Sequence, residues 1–163
     1  MKFQFSVIDA ETQAELSRMI KAGRDLSKLL GPIADFVISR IRLTFRTSTD
    51  PYGESWKPLK HRKGKPLLDT RHLSRSIVKQ LGKDFVDIGT NVKYARIHQF
   101  GGTIKAKNKP YLVFKLPSGK FVKIKSVYIP ARPFFPLKKG LPDAWQNPIT
   151  KITRQFIEKS RHA

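Results

Sequence analysis

The sequence contains no cysteine and few carboxylates. Without cysteine there are no disulfides, no thiolate metal sites and no thiol catalysis. Twelve Asp and Glu in 163 residues leave little from which to build the clustered carboxylates of a two-metal nuclease. The four histidines, His61, His72, His98 and His162, share no metal-ligand spacing. No apolar run approaches the ~18 residues that suggest a membrane span. The opening "MKFQFSVIDAETQ" has no long apolar core followed by a small-residue cleavage site. It therefore reads as lacking a signal peptide, and the chain is expected to fold in a cytoplasm.

What the sequence does have is positive charge. Lys and Arg number 33, giving a formal net charge of +21. Self-repulsion of that size favours an anionic or neutralising partner. Nucleic acid, an acidic protein face and a membrane surface are the general classes. The length fits a single domain over 1–163 with arms, and it is enough to bury a core.

Hydrophobic spacing predicts an α+β fold, with N-terminal and C-terminal helices packed on a mostly antiparallel sheet. Phe3, Phe5 and Val7 alternate as a short strand, and Asp9 stands where a helix cap would. A helix through Leu16, Met19, Leu26 and Leu30 is expected to end at Gly31, with Pro32 opening the next. Ile33, Phe36, Val37, Ile41 and Phe45 form the stripe of that second helix. Periodicity then fails over a long loop, 47–69, which contains the basic run Lys60, Arg62, Lys63 and Lys65. A short helix at 70–77, capped by Asp69 or Thr70, precedes a hairpin turning at 82–84, where Asp87 is expected on an exposed position.

A basic arm, 103–126, follows, with Lys105, Lys107 and Lys109 in its first loop. In its hairpin, Leu112, Phe114, Leu116, Val122 and Ile124 share one parity and Lys115, Lys123 and Lys125 the other. That alternation predicts one buried and one cationic face, joined through a "PSG" turn. Asn147 is read as the cap of a last helix opened by Pro148, with Ile149, Ile152 and Phe156 inward.

Between the hairpins lies "YARIHQFGG" (94–102). His98 has no orienting carboxylate or nucleophile nearby in sequence, so catalysis is disfavoured. The glycines follow the short helix instead of preceding it, which is wrong for a phosphate cradle. The reading preferred from the residues is a joint. Tyr94, Ile97 and His98 form the inward face, His98 bonds a backbone group, and Gly101 and Gly102 reverse the chain.

Four segments in order then carry a family resemblance. "FRTSTDPYGESWKPL" (45–59) resembles a Pro-x-Gly-x-x-Trp-x-x-Leu loop after a helix-ending phenylalanine. "LLDTRHLSRSI" (67–77) resembles Leu-x-x-Thr-Gly-x-Leu-x-x-Ser-Ile, with Arg71 where the pattern has glycine. "VDIGTNVKYARIHQFGG" (86–102) and "IPARPFFPL" (129–137) resemble a Tyr-Ala-x-x-His-Gln-x-Gly-Gly motif and a Pro-Ala-Arg-Pro-Phe motif. The succession is similar to the phage virion morphogenesis family, the tail completion proteins of Mu-like and related contractile-tailed phages. The resemblance implies a structural, non-enzymatic protein of the virion neck, assembled in the cytoplasm of an infected bacterium and needed for head–tail joining. It implies no cofactor, no membrane partner and no small-molecule substrate. The implied partners are further copies in a ring, six by the usual tail symmetry, with tail terminator or tube proteins and the head–tail connector. Trp56, Tyr94, His98, Gly101, Gly102, Arg132, Pro133 and Phe134 become fold and interface positions, with Arg132 before Phe134 and Phe135 resembling an arginine-plus-aromatic anchor, the other reading being that both phenylalanines close the core. The lysine surfaces would face an acidic neighbour or DNA in the channel. A free nucleic-acid-binding protein working through phosphate contacts is the alternative.

Overall fold

The computed structural model describes residues 10–60, 63–116, 118–137 and 140–161. The expected strand at 3–9 with its Asp9 cap, Arg62, His61, Pro117 of the turn and His162 lie outside them. In chain order the elements are α1 (Ala10–Lys21), α2 (Ser27–Thr47), α3 (His72–Arg75), β1 (Val78–Leu81), β2 (Val86–Gly89), α4 (Ala95–Phe100), β3 (Gly102–Lys105), β4 (Leu112–Lys115), β5 (Phe121–Ile124), β6 (Ser126–Ile129) and α5 (Asp143–Arg161). The fold is α+β with helices at both ends. The strands do not make one sheet. They form three separate antiparallel ladders, β1–β2, β3–β6 and β4–β5.

α2 is the spine. Leu29, Ile33, Val37, Ile41 and Phe45 repeat at intervals of four and are all buried. Each such burial stabilises by about 1.5–3 kcal/mol. Against this stripe pack α5 and the β1–β2 hairpin, and Lys79 on β1 pairs with Asp35 on α2 at 2.7 Å. The hairpin turns at 82–84 as expected, with the Gly82 N–H donating to the Phe85 carbonyl at 2.8 Å. Asp87 is half-buried, not exposed.

Two helix starts differ from the sequence reading in the same way. α2 begins at Ser27, not Pro32, and α5 at Asp143, not Asn147 or Pro148. In each case the proline sits five residues into the helix. It forfeits one backbone bond there, but the turn before it is held by other contacts. Asp25 Oδ1 accepts the Ser27 N–H at 2.8 Å, and Leu26 and Leu29 are buried ahead of Pro32. Trp145, 3 % exposed, extends the inward stripe of α5 as Trp145, Ile149, Thr153 and Ile157. Gly23, at φ +72°, lies just beyond the end of α1.

The first half of the expected 47–69 loop is ordered by its own hydrogen bonds. The Asp50 carboxylate accepts the N–H groups of Tyr52 and Glu54 at 2.8 and 2.9 Å, and Trp56 N–H donates to the Ser48 carbonyl at 2.8 Å. The Tyr52 hydroxyl donates to the Gly140 carbonyl at 2.6 Å and accepts the Leu137 N–H at 3.1 Å. Burial pushes the Tyr52 pKa above its ordinary 10.0.

α3 is preceded by Arg71 in the left-handed region, φ +58° and ψ +7°, so neither Asp69 nor Thr70 is its cap residue. This explains the glycine of the family pattern at that position. A side chain there costs roughly 1–2 kcal/mol, partly offset by glycine's larger entropy in the unfolded chain. Arg71→Gly is therefore expected to stabilise the protein by about 0.5 kcal/mol. Chemical denaturation of the two proteins checks this, and an unchanged or lower midpoint counts against the strain.

Candidate functional site

The motif residues converge where α4 meets the extended segment 130–136. α4 turns Ala95 and Gln99 inward, at 2 % and 0 % exposure. That is not the Tyr94–Ile97–His98 face that spacing suggested. Tyr94 is exposed, and Ile97 and His98 are half-buried. The buried Gln99 carboxamide bonds wholly to the backbone of the segment. Its Nε2 donates to the Phe135 carbonyl at 2.9 Å, and its Oε1 accepts the N–H groups of Phe134 and Phe135 at 2.9 and 3.1 Å. A buried amide is tolerable only when its polar atoms are paired in this way.

Around this carboxamide the other motif residues close the joint. The Arg132 N–H donates to the His98 carbonyl at 2.7 Å. The Arg132 guanidinium points the other way, with Nε to the Lys57 carbonyl at 2.9 Å and Nη2 to the Pro58 carbonyl at 3.2 Å. Trp56 Nε1 donates to the Pro133 carbonyl at 2.9 Å. Phe134 and Phe135 are 0 % and 1 % exposed, so both lie in the core and neither is a surface anchor. Phe134 packs on Phe45 at 5.1 Å between ring centroids, and Trp56 meets Phe45 edge-on at 5.7 Å.

The two glycines are needed where they stand. Gly101 has φ +69°, and a Cβ there would lie 2.7 Å from the Ala131 nitrogen. Gly102 has φ +142°, with Ile97 Cδ1 3.0 Å from where a Cβ would be. The first approach brings the chain before β3 against the end of β6, and the second seats the start of β3 on Ile97 of α4.

His98 is not the hydrogen-bonded histidine expected from the sequence. Its Nδ1 is buried and finds no partner among the described residues, while its ring stacks edge-on with Tyr94 at 5.8 Å. Burial, and then the nearby Arg132 charge, hold its pKa below the ordinary 6.5. The side chain is thus kept neutral at a cationic joint. Among the described residues, no three His, Cys, Asp or Glu side chains gather to hold a metal ion.

The cationic candidates are spread more widely. Lys60, Lys63, Lys65, Lys105, Lys107, Lys109, Lys115, Lys123 and Lys125 are all exposed. Lys65 Nζ reaches back to the Arg46 carbonyl at 2.5 Å. The ladders β3–β6 and β4–β5 pair with successive halves of 121–129, and Ala106 N–H donates to the Lys125 carbonyl between them at 3.0 Å. The register shifts by five across that point, leaving 107–111, with Lys107 and Lys109, looped out of the ladder. In β4–β5 the predicted parity is kept, since Leu112 faces Ile124 and Phe114 faces Val122. The predicted burial is met only in part. Leu112, Leu116, Val122 and Ile124 are half-buried, Phe114 is 37 % exposed, and no described residue of 102–129 belongs to the hydrophobic core. Lys115 and Lys123 share the other face with Phe121 and Val113, both exposed, and Lys115 Nζ lies 6.0 Å from the Phe121 ring centre.

One signal in the sequence marks this region. From residue 88 to residue 142, 55 positions in all, there is no Asp or Glu, against 12 Lys and Arg. All 12 acids lie outside that stretch, beside the remaining 21 cations.

Two measurements test the joint. Gln99→Leu leaves the Phe134 N–H without its partner and is expected to cost about 2–4 kcal/mol in denaturation. A cost below about 1 kcal/mol would show that the carboxamide does not hold the segment. His98 gives a pH test. The unfolded chain takes up the proton near 6.5 and the folded chain only below that. Stability from neutral His98 is therefore full above pH 6.5 and falls as pH drops through the window beneath it. Relative to His98→Asn, the parent protein should lose stability in that window. Parallel pH profiles would refute the assignment.

Comparison with known proteins agrees with the motif order. The model of the phage virion morphogenesis family matches residues 8–158. The chain is 34 % identical over 124 residues to the Mu-like prophage FluMu G protein 2 of Haemophilus influenzae, covering 76 % of this chain and 75 % of that protein. No solved structure matches. With its motif residues gathered at one joint and the match spanning nearly its whole length, the chain belongs to the phage virion morphogenesis family.

Proposed function

We propose that this protein completes the phage tail at its head-proximal end, as a non-enzymatic ring component that lets the tail join a filled head. What carries the reading is how the family motif is used. Trp56, Gln99, Gly101, Arg132 and Phe134 bind the chain's own segments to one another. They leave a compactly joined body bearing a cationic ribbon. A ring needs head-to-tail contacts between unlike surfaces. Six copies would match the usual symmetry of tails. The tail terminator or tube on one side and the head–tail connector on the other are the natural neighbours.

Complementation tests this. Cells infected with the parent phage lacking this gene should accumulate filled heads and separate tails by electron microscopy. Purified protein added to the lysate should restore joined, infectious particles. Joined particles without the protein, or an absence of tails altogether, would overturn the reading. A second role, free nucleic-acid binding, draws on the carboxylate-free stretch. It predicts retention of duplex DNA that weakens steeply with salt, and no retention even at low salt would remove it.

A further inference from the structure

We propose that the groove between residues 57–60 and β6 is the seat for an extended, acidic and apolar segment of a different virion protein. The proposal rests on the reading of this chain as an assembly protein, but not on its place at the neck.

The groove encloses about 590 Å3, within the usual range for ligand sites of ~300–1,000 Å3. Pro58 and Leu59 form one wall, and Leu116, Val127 and Ile129 form the other. The β3–β6 register pairs Val127 with Ile104 and Ile129 with Gly102, so both valine and isoleucine lie on one face of the ribbon. Arg132 holds the first wall in place through the Lys57 and Pro58 carbonyls. Lys57, Lys60 and Lys115 stand exposed at the rim, and no carboxylate among the described residues lines the groove. The ribbon's apolar residues take no part in the hydrophobic core, and Leu116, Val127 and Ile129 are half-buried, leaving part of their surface open to the groove.

Charge and chemistry select the occupant. An apolar floor with a rim of lysines fits a strand whose side chains alternate between apolar and acidic, one set down and the other outward to the rim. A second copy of this chain fits poorly. Its ribbon has no acid at all, and its remaining residues carry 12 acids against 21 cations. A second copy brings a net positive charge to a face that is already cationic. Duplex DNA satisfies the lysines but leaves the Leu59, Leu116, Val127 and Ile129 surface without a matching group, since phosphates offer no apolar contact.

The test uses the full chain. An array of overlapping peptides covering the parent phage's own virion proteins is probed with the labelled protein, with short duplex DNA as competitor. The bound peptides should be those alternating acidic and apolar residues. Lys60→Gln combined with Lys115→Gln should weaken that binding roughly tenfold or more, with circular dichroism unchanged. Leu59→Asp tests the floor separately and should have a similar effect. Bound peptides that are neutral or basic, or that come from this chain, would overturn the proposal. So would displacement by DNA, or an empty array. The complementation assay separates the two readings. A chain that joins heads to tails but binds no acidic peptide refutes the groove alone, whereas a chain that binds the peptide but joins nothing refutes the neck.

Discussion

The fold depends on one buried side chain, the carboxamide of Gln99. It makes three hydrogen bonds to a strip of backbone 35 and 36 residues away, where no ladder supplies partners. Without it the Phe134 N–H would be buried and unpaired, at a cost comparable to a large share of a domain's net stability. With it, Phe134 and Phe135 are fixed under α2, Arg132 is aimed at the 57–58 carbonyls, and Trp56 finds its acceptor on Pro133. The aromatic core and the polar joint are therefore one structure. The hydrophobic effect brings the segment in, and the carboxamide fixes its depth and direction.

Much of this architecture was legible from residue order. The α2 stripe, the 82–84 turn, the short helix before Gly101 and the parity of the β4–β5 hairpin follow from spacing and turn residues. The misreadings have physical causes. Proline suits a first helical turn, which makes Pro32 and Pro148 read as helix starts, yet burial of Leu29 and Trp145 ahead of them is strong enough to carry the helix through a missing bond. The role of Gln99 has no signal in local pattern, because its partners arrive from far along the chain. Tyr94 and His98 have the spacing of an inward face, but the Ala95–Gln99 pair turns inward instead.

The cationic ribbon shows the limit of alternation in another way. Parity says which residues share a face and nothing about what covers that face. Leu112, Phe114, Val122 and Ile124 share one as expected, but that face stays outside the hydrophobic core and is only half covered. A two-stranded ribbon of this kind is marginally stable by itself. Its lysines and its uncovered apolar residues make it a surface suited to being completed by something else. The charge of the ribbon limits what can approach it, so specificity here comes as much from exclusion as from attraction.

Gly101 and Ala131 lie so close that even a methyl group would not fit between them. The chain therefore leaves the body and returns to it at a single point, and everything from Gly102 to Pro130 is a detour in the backbone path. Closing a loop becomes only about 0.6 kcal/mol harder with each doubling of its length. The detour can thus be lengthened, shortened or rewritten with little consequence for the core beneath it. One stable body can in this way carry ribbons fitted to different tails, with the reach of the arm and the firmness of its mount set by separate parts of the sequence.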